Sequence, residues 1–189
     1  FAVCPFWIEY GYIAYTSFTK IDYSNDLVTA PLVGTTTRRL YSSGAGNSSY
    51  GYFGGGRVGF PASYFSLVER LDYSNDTAAA VAKGPLPAAR HGMRVCSNSS
   101  YAYFNGGPVA NSPAWAGYSN VYRMDYNNDT ATAVAKGPLS QPVWWHGSTG
   151  NSSYGYVAGG YHNGPSGGKS SIQRINYSND TATATIQSN

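Results

Sequence analysis

Charge is scarce in this chain. Lys, Arg, Asp and Glu make up 11% of its 189 residues, and cysteine occurs only at Cys4 and Cys96. Two cysteines are too few for a disulfide framework, and about two repeats of sequence between them argue against a bridge. No apolar run reaches the ~18 residues a spanning helix needs, so no membrane span is expected. The net charge of +3 is spread along the chain with no basic tail, so nucleic acid is not an expected partner. Catalytic signatures are missing too. No GxSxG occurs, and the glycine clusters at 44–46 and 54–56 lead into no helix pattern, which makes them turns rather than phosphate cradles. None of His91, His146 and His162 has a Cys, Asp or Glu at ligand spacing, so no metal and no other cofactor is expected. A start at Phe1 without a signal peptide leads to the expectation of a processed chain or a piece of a longer one.

Glycine (23) and tyrosine (18) are abundant instead, the balance of short aromatic strands joined by tight turns. They come in repeats. IDYSND begins at Ile21, LDYSND at Leu71, MDYNND at Met124 and INYSND at Ile175, and the second residues of these motifs step by 50, 53 and 51. A second phrase precedes three of them: NSSYGYFGGG from Asn47, NSSYAYFNGG from Asn98 and NSSYGYVAGG from Asn151. A third, KGPL, stands at Lys83 and Lys136, with a worn equivalent at Gly34. Cutting before these glycines gives units of about 1–33, 34–83, 84–136 and 137–189, read as one repeat domain.

Each complete unit reads as four short strands. In the third they are expected at 90–97, 101–105, 120–126 and 130–135, separated by Asn-Ser-Ser, Gly-Gly-Pro and Asn-Asn-Asp turns. Alternation from Val121 to Tyr126 sends Tyr122, Met124 and Tyr126 to one face and Arg123 and Asp125 to the other. Arg70 with Asp72 and Lys20 with Asp22 repeat that split, which leads to the expectation that the opposite charges cross-link neighbouring strands. Six Asn-x-Ser/Thr triplets, at Asn47, Asn75, Asn98, Asn128, Asn151 and Asn179, all fall in turns, where asparagine is favoured for local hydrogen bonds.

Four antiparallel strands per repeat of this length are how a β-propeller blade reads. The chain resembles the kelch family in its strand ending at a Gly pair (Phe53–Gly56), its spaced Tyr73, and Gly84-Pro85 with Arg90 leading into the next unit. Thr29, Ala79, Thr132 and Thr183 stand six residues after the repeated tyrosines, where kelch repeats carry an aromatic residue. The resemblance implies an all-β, kelch-like propeller of four four-stranded blades, alone or within a larger ring. The repeat wording is also similar to tandem repeats of structural and tail-fibre proteins of marine tailed phages, which implies a virion or extracellular surface setting.

Function is expected in recognition. Seven of the nine acids belong to the repeated turn, leaving only Glu9 and Glu69, and copies on successive edges are poorly placed to converge on one bond as a glycosidase pair must. The Asn-Ser-Ser and Ser-Asn-Asp turns share one end of each unit and are monotonous. The connections at the other end vary, carrying Phe60 and Tyr64, then Trp115 and Tyr118, then Tyr161 and His162, with Trp144, Trp145 and His146 on the strand leading into the fourth unit. Varied aromatic loops on a constant scaffold present a binding surface. Strand alternation puts Trp144 and Trp145 on opposite sides, so at most one is displayed. The expected ligand is a host-surface glycan or another virion protein. The alternatives are a soluble kelch-type adaptor and a propeller enzyme acting on carbohydrate.

Overall fold

The structure is a computed structural model that describes residues 10–59, 62–109, 117–162 and 167–188. Among the described residues it is all-β, with five antiparallel sheets, four of them successive and the fifth a two-stranded ribbon, and three single turns of 3-10 helix. The first sheet holds β1 (Tyr10–Ala14), β2 (Ser17–Asp22) and β3 (Leu32–Thr35). The second runs β4 (Ser43–Gly46), β5 (Tyr50–Gly54), then past the ribbon of β6 (Arg57–Val58) and β7 (Ser63–Tyr64), β8 (Val68–Asp72) and β9 (Val81–Ala82). The third is β10 (Arg94–Ser97), β11 (Tyr101–Asn105), β12 (Val121–Asp125) and β13 (Val134–Lys136). The fourth is β14 (Gly147–Gly150), β15 (Tyr154–Ala158), β16 (Ile172–Asn176) and β17 (Thr185–Ser188).

The turns that set this register are local chemistry. Asn47 Oδ1 accepts the N–H groups of Ser49 and Tyr50 at 2.9 Å, and Asn98 and Asn151 do the same in their own units. At the next turn Asp72 Oδ1 accepts from Ser74 N–H at 2.9 Å, a cap repeated by Asp22, Asp125 and Asn176. Both turns lie at one end, joined by bonds such as Tyr73 N–H to the Ser49 carbonyl. The common register sets Tyr12 opposite Lys20, Tyr52 opposite Arg70, Tyr103 opposite Arg123 and Tyr156 opposite Arg174.

That register builds the contacts between sheets, and here the expected strand-to-strand charge pairing is corrected. Arg123 reaches past Asp125 to Asp180 of the following unit at 2.7 Å, while Asp125 is occupied in capping its own turn. Asp180 also accepts the Tyr103 hydroxyl at 3.1 Å and Lys136 at 3.1 Å. Asp129 takes Tyr52, Arg70 and Lys83 in the same way, and Asp76 takes Tyr12 and Lys20. Above each clip the tyrosines stack, Tyr12 on Tyr73, Tyr52 on Tyr126 and Tyr103 on Tyr177, with centroids 5.2, 5.0 and 4.6 Å apart. Each of the three buried clusters accordingly straddles two sheets: Phe18 with Phe53, Tyr52 with Phe104 and Met124, and Tyr103 with Val157 and Ile175.

The outer strand is shorter than the alternation of Thr and Ala suggests. The chain turns through 130–133 and pairs only from Val134 to Lys136. Its backbone is used elsewhere: the Asp129 carbonyl accepts Gly84 N–H, and Ala133 N–H donates to the Pro85 carbonyl, so this stretch latches onto the link that leaves β9 of the preceding sheet. The strand expected from residue 90 likewise begins at Arg94, with Arg90 held in an isolated bridge to Val109. Cys96 is a buried free thiol, pushed up in pKa by that burial.

Candidate functional site

The segments leading into β4, β10 and β14 arrive at the end opposite the Asn-Ser-Ser loops. Six residues before the loop asparagine, the three units carry Tyr41, Gly92 and Trp145, and all three have left-handed backbone, with φ of 59°, 61° and 49°. Glycine adopts this conformation freely, whereas for a bulky side chain it costs on the order of 1–3 kcal/mol. Tyr41 and Trp145 are the only non-glycine residues with positive φ among the described residues. Gly92 N–H donates to the Tyr41 carbonyl at 3.0 Å and Trp145 N–H to the Gly92 carbonyl at 3.2 Å, so the three segments are tied in series. A Cβ on Gly92 would stand 2.9 Å from Trp145 Cδ1; the missing side chain makes room for the indole.

The two rings meet over that gap. Tyr41 and Trp145 lie 5.6 Å apart by centroid, 37% and 39% exposed. Contacts continue on both sides, from Tyr41 to His91 (6.3 Å) and on to Tyr64 (5.0 Å), and from Trp145 to Trp144 (4.5 Å) and on to Tyr161 (5.7 Å). Beside them opens a cleft of about 610 Å³ that includes Tyr15, Leu40, Tyr41, Arg94 and Trp145 in its lining, a volume in the range of small-ligand sites. Arg39 also lines it but is spent on Glu69 at 2.6 Å and the Leu67 carbonyl. Arg94 gives one N–H to the Met93 carbonyl.

The residues expected to form the surface divide. Trp145 is displayed and Trp144 is buried behind it. The expected strand alternation does not set this, because Trp145 lies before β14 with left-handed backbone and the two rings touch at 4.5 Å instead of standing on opposite faces. Tyr64, Tyr118, Tyr161 and His162 are half-buried, Tyr118 beneath the Arg90 guanidinium at 5.0 Å. Phe60 and Trp115 lie outside the described residues. His146 is corrected from a surface to a wall position. It is 3% exposed, and its Nε2 lies 2.6 Å from Asn105 Oδ1. Because Asn105 Nδ2 donates to the Tyr103 carbonyl, its Oδ1 faces the ring, and His146 is neutral with the proton on Nε2. Burial, with the Arg94 charge nearby, depresses its pKa to about 3, and burial with the Arg57 charge brings His91 down to about 4. Neutral His91 therefore packs between Tyr41 and Tyr64 as a flat ring. The sequence reading misses Tyr15, Tyr41 and Arg94 as surface residues; aligning the units on their loop asparagines shows a glycine position filled twice by aromatics.

The other repeated chemistry is structural. Among the described residues Asp22, Asp72 and Asp125 cap turns, Asp76, Asp129 and Asp180 clip sheets together, and Glu69 is buried under Arg39, Thr36 and Thr37. The cleft thus offers flat rings and a guanidinium, a combination suited to stacking and hydrogen bonding. No helix among the described residues is long and apolar enough to cross a membrane.

Successive antiparallel sheets sealed through their faces, with inner-strand loops gathered at one end, define a β-propeller-like all-β protein. The solved structure of YjhT has the same fold, with a TM-score of 0.80 at 10% sequence identity over 99% of this chain. The chain spans 64% of the length of that protein, and at this identity the likeness is one of fold. No family model matches the sequence, and no curated protein matches it.

Proposed function

We propose that this protein is a non-enzymatic recognition and structural module, a kelch-like propeller segment of four blades that binds a glycan through the Tyr41–Trp145 surface. The observation that carries the reading is that two bulky aromatics occupy a left-handed backbone position filled by glycine in the unit between them, and both rings are exposed. Strain of this kind persists where displaying the side chain matters more than local comfort. Exposed tyrosine and tryptophan stack on the apolar faces of sugar rings, and Arg94 can serve hydroxyl or acidic substituents. The setting is a virion tail fibre or surface appendage, the glycan that of a host surface.

The test is binding to an oligosaccharide panel, followed by titration of whatever binds against Trp145→Ala and Tyr41→Ala. Each is expected to lose affinity tenfold or more while its circular dichroism stays that of the parent. A chain that binds no glycan but captures one defined protein through the same two residues would favour the adaptor reading.

A further inference from the structure

Three junctions between sheets repeat one design, and the outward faces of the first and fourth units carry its separated halves. At each made junction a tyrosine hydroxyl and an opposite basic residue of one unit converge on the turn aspartate of the next, at Asp76, Asp129 and Asp180. Before it reaches that aspartate the arginine lies over its own unit's strand tyrosine, Arg70 over Tyr50 at 4.1 Å and Arg123 over Tyr101 at 4.3 Å. Arg174 is set over Tyr154 in the same way at 4.6 Å, with Tyr156 opposite it, yet it has no carboxylate partner among the described residues, and its buried Nε has no hydrogen-bond partner there. Tyr12, Tyr52 and Tyr103 are fully buried by the following unit; Tyr156 remains half-buried.

The complementary half is on the first unit. Asp26 holds the position of Asp76, Asp129 and Asp180, and it is exposed with no ion pair among the described residues. Tyr23, equivalent to the stacking Tyr73, Tyr126 and Tyr177, is 51% exposed. Leu27 and Val28 beside it are 95% and 53% exposed, so the face offers apolar area as well as charge.

We propose that the outward face of the fourth unit, Tyr156 with Arg174, is the docking surface for the first unit of a second copy, whose Asp26 and Tyr23 complete the junction. The inference rests on the three internal junctions and not on the glycan reading. One end supplies the cation and the hydroxyl and the other the carboxylate and the ring, so the contact is head-to-tail. It closes into a ring if the rotation permits and otherwise extends with concentration. Electrostatic complementarity of this kind fixes partner and register.

Sedimentation velocity of the 189-residue chain over a range of concentrations tests it. The parent is expected to sediment as more than one copy, while Asp26→Arg and Arg174→Glu each sediment as monomers with unchanged circular dichroism. Mixed one to one, the two variants are expected to reassociate. The intact Arg174 of the first variant meets the intact Asp26 of the second, and the two substituted positions face each other with their charges exchanged. Recovery on mixing also separates a broken contact from a broken fold. A parent that stays monomeric at every concentration, or single variants that associate as the parent does, would overturn the proposal and leave the face to a different occupant.

Discussion

The two ends of the array share one backbone and follow opposite rules. At the Asn-Ser-Ser end the second, third and fourth units solve the same problem with the same residues: an asparagine orders the loop, an aspartate or asparagine caps the turn, and an aspartate clips the previous sheet. At the other end equivalent backbone positions carry Tyr41, Gly92 and Trp145, and strain is tolerated. Residues that hold units together must match neighbours on both sides and are therefore repeated. Residues that face outward are free to differ, and the difference is the ground for proposing that this surface is the one used. On this division, substitutions at the constant end chiefly move stability, and those at the displayed rings chiefly move binding.

The sharpest way to break the division is at Asp129. Asp129→Ala leaves Arg70, Lys83 and the Tyr52 hydroxyl converging on nothing, with the two basic side chains only 24% and 12% exposed. Removing one member of a mostly buried ionic cluster costs about 3 kcal/mol, read as a lower urea midpoint. A cost near zero would place the holding force elsewhere. Burial is the largest influence on Asp129 and opposes its charge, but hydrogen bonds from Lys83 and Tyr52 and the neighbouring cations outweigh it, keeping the carboxyl below its usual range.

Acid probes the wall behind the displayed rings. Histidine in the unfolded chain takes its proton near 6.5, whereas His91 does so at about 4 and His146 at about 3. Between those values the unfolded state binds more protons, so stability present above pH 6.5 is lost as pH falls toward 4 and below. Urea midpoints measured from pH 7 to pH 4 are expected to decline, and His146→Gln, which keeps a donor for Asn105, is expected to flatten the slope. An unchanged slope would mean that His146 titrates alike in both states.

Much of the fold is legible in the sequence because its signals are local. Loop asparagines, turn aspartates and period-2 strands act within a few residues, and their positions announce four sheets. The clips are not local: nothing around Arg123 distinguishes a partner two residues away from Asp180, 57 residues on. For the same reason the stretch at 130–133 reads as strand while its backbone is bonded to the link that leaves β9 of the preceding sheet. The site is legible only in part. Trp145 and Tyr41 reveal their display only through a left-handed backbone angle, which strand alternation does not announce, and His146 looks available until Asn105 covers it. The turn itself gives a smaller test. Asp72→Ala removes the acceptor of Ser74 N–H and is expected to cost about 1 kcal/mol in thermal unfolding. Asp72→Asn should be close to neutral, because Asn176 already fills that role in the fourth unit.

The smallest stability effect is expected at Trp145, the residue proposed to carry binding. Trp145→Gly gives up contact with Trp144 at 4.5 Å and with Tyr41 at 5.6 Å, pairs worth about 0.5–1.5 kcal/mol each. It also relieves a φ of 49° that costs a bulky residue on the order of 1–3 kcal/mol. The two effects are of opposite sign and similar size, so the melting temperature should barely move. Trp145→Ala loses the same contacts and keeps the strained backbone, so it should melt below the glycine variant. Glycine above alanine in stability, with both equally deficient in ligand binding, would separate the ring's display from any part in holding the fold. The reverse order would mean that the left-handed angle carries no strain, and that Trp145 is displayed at no cost.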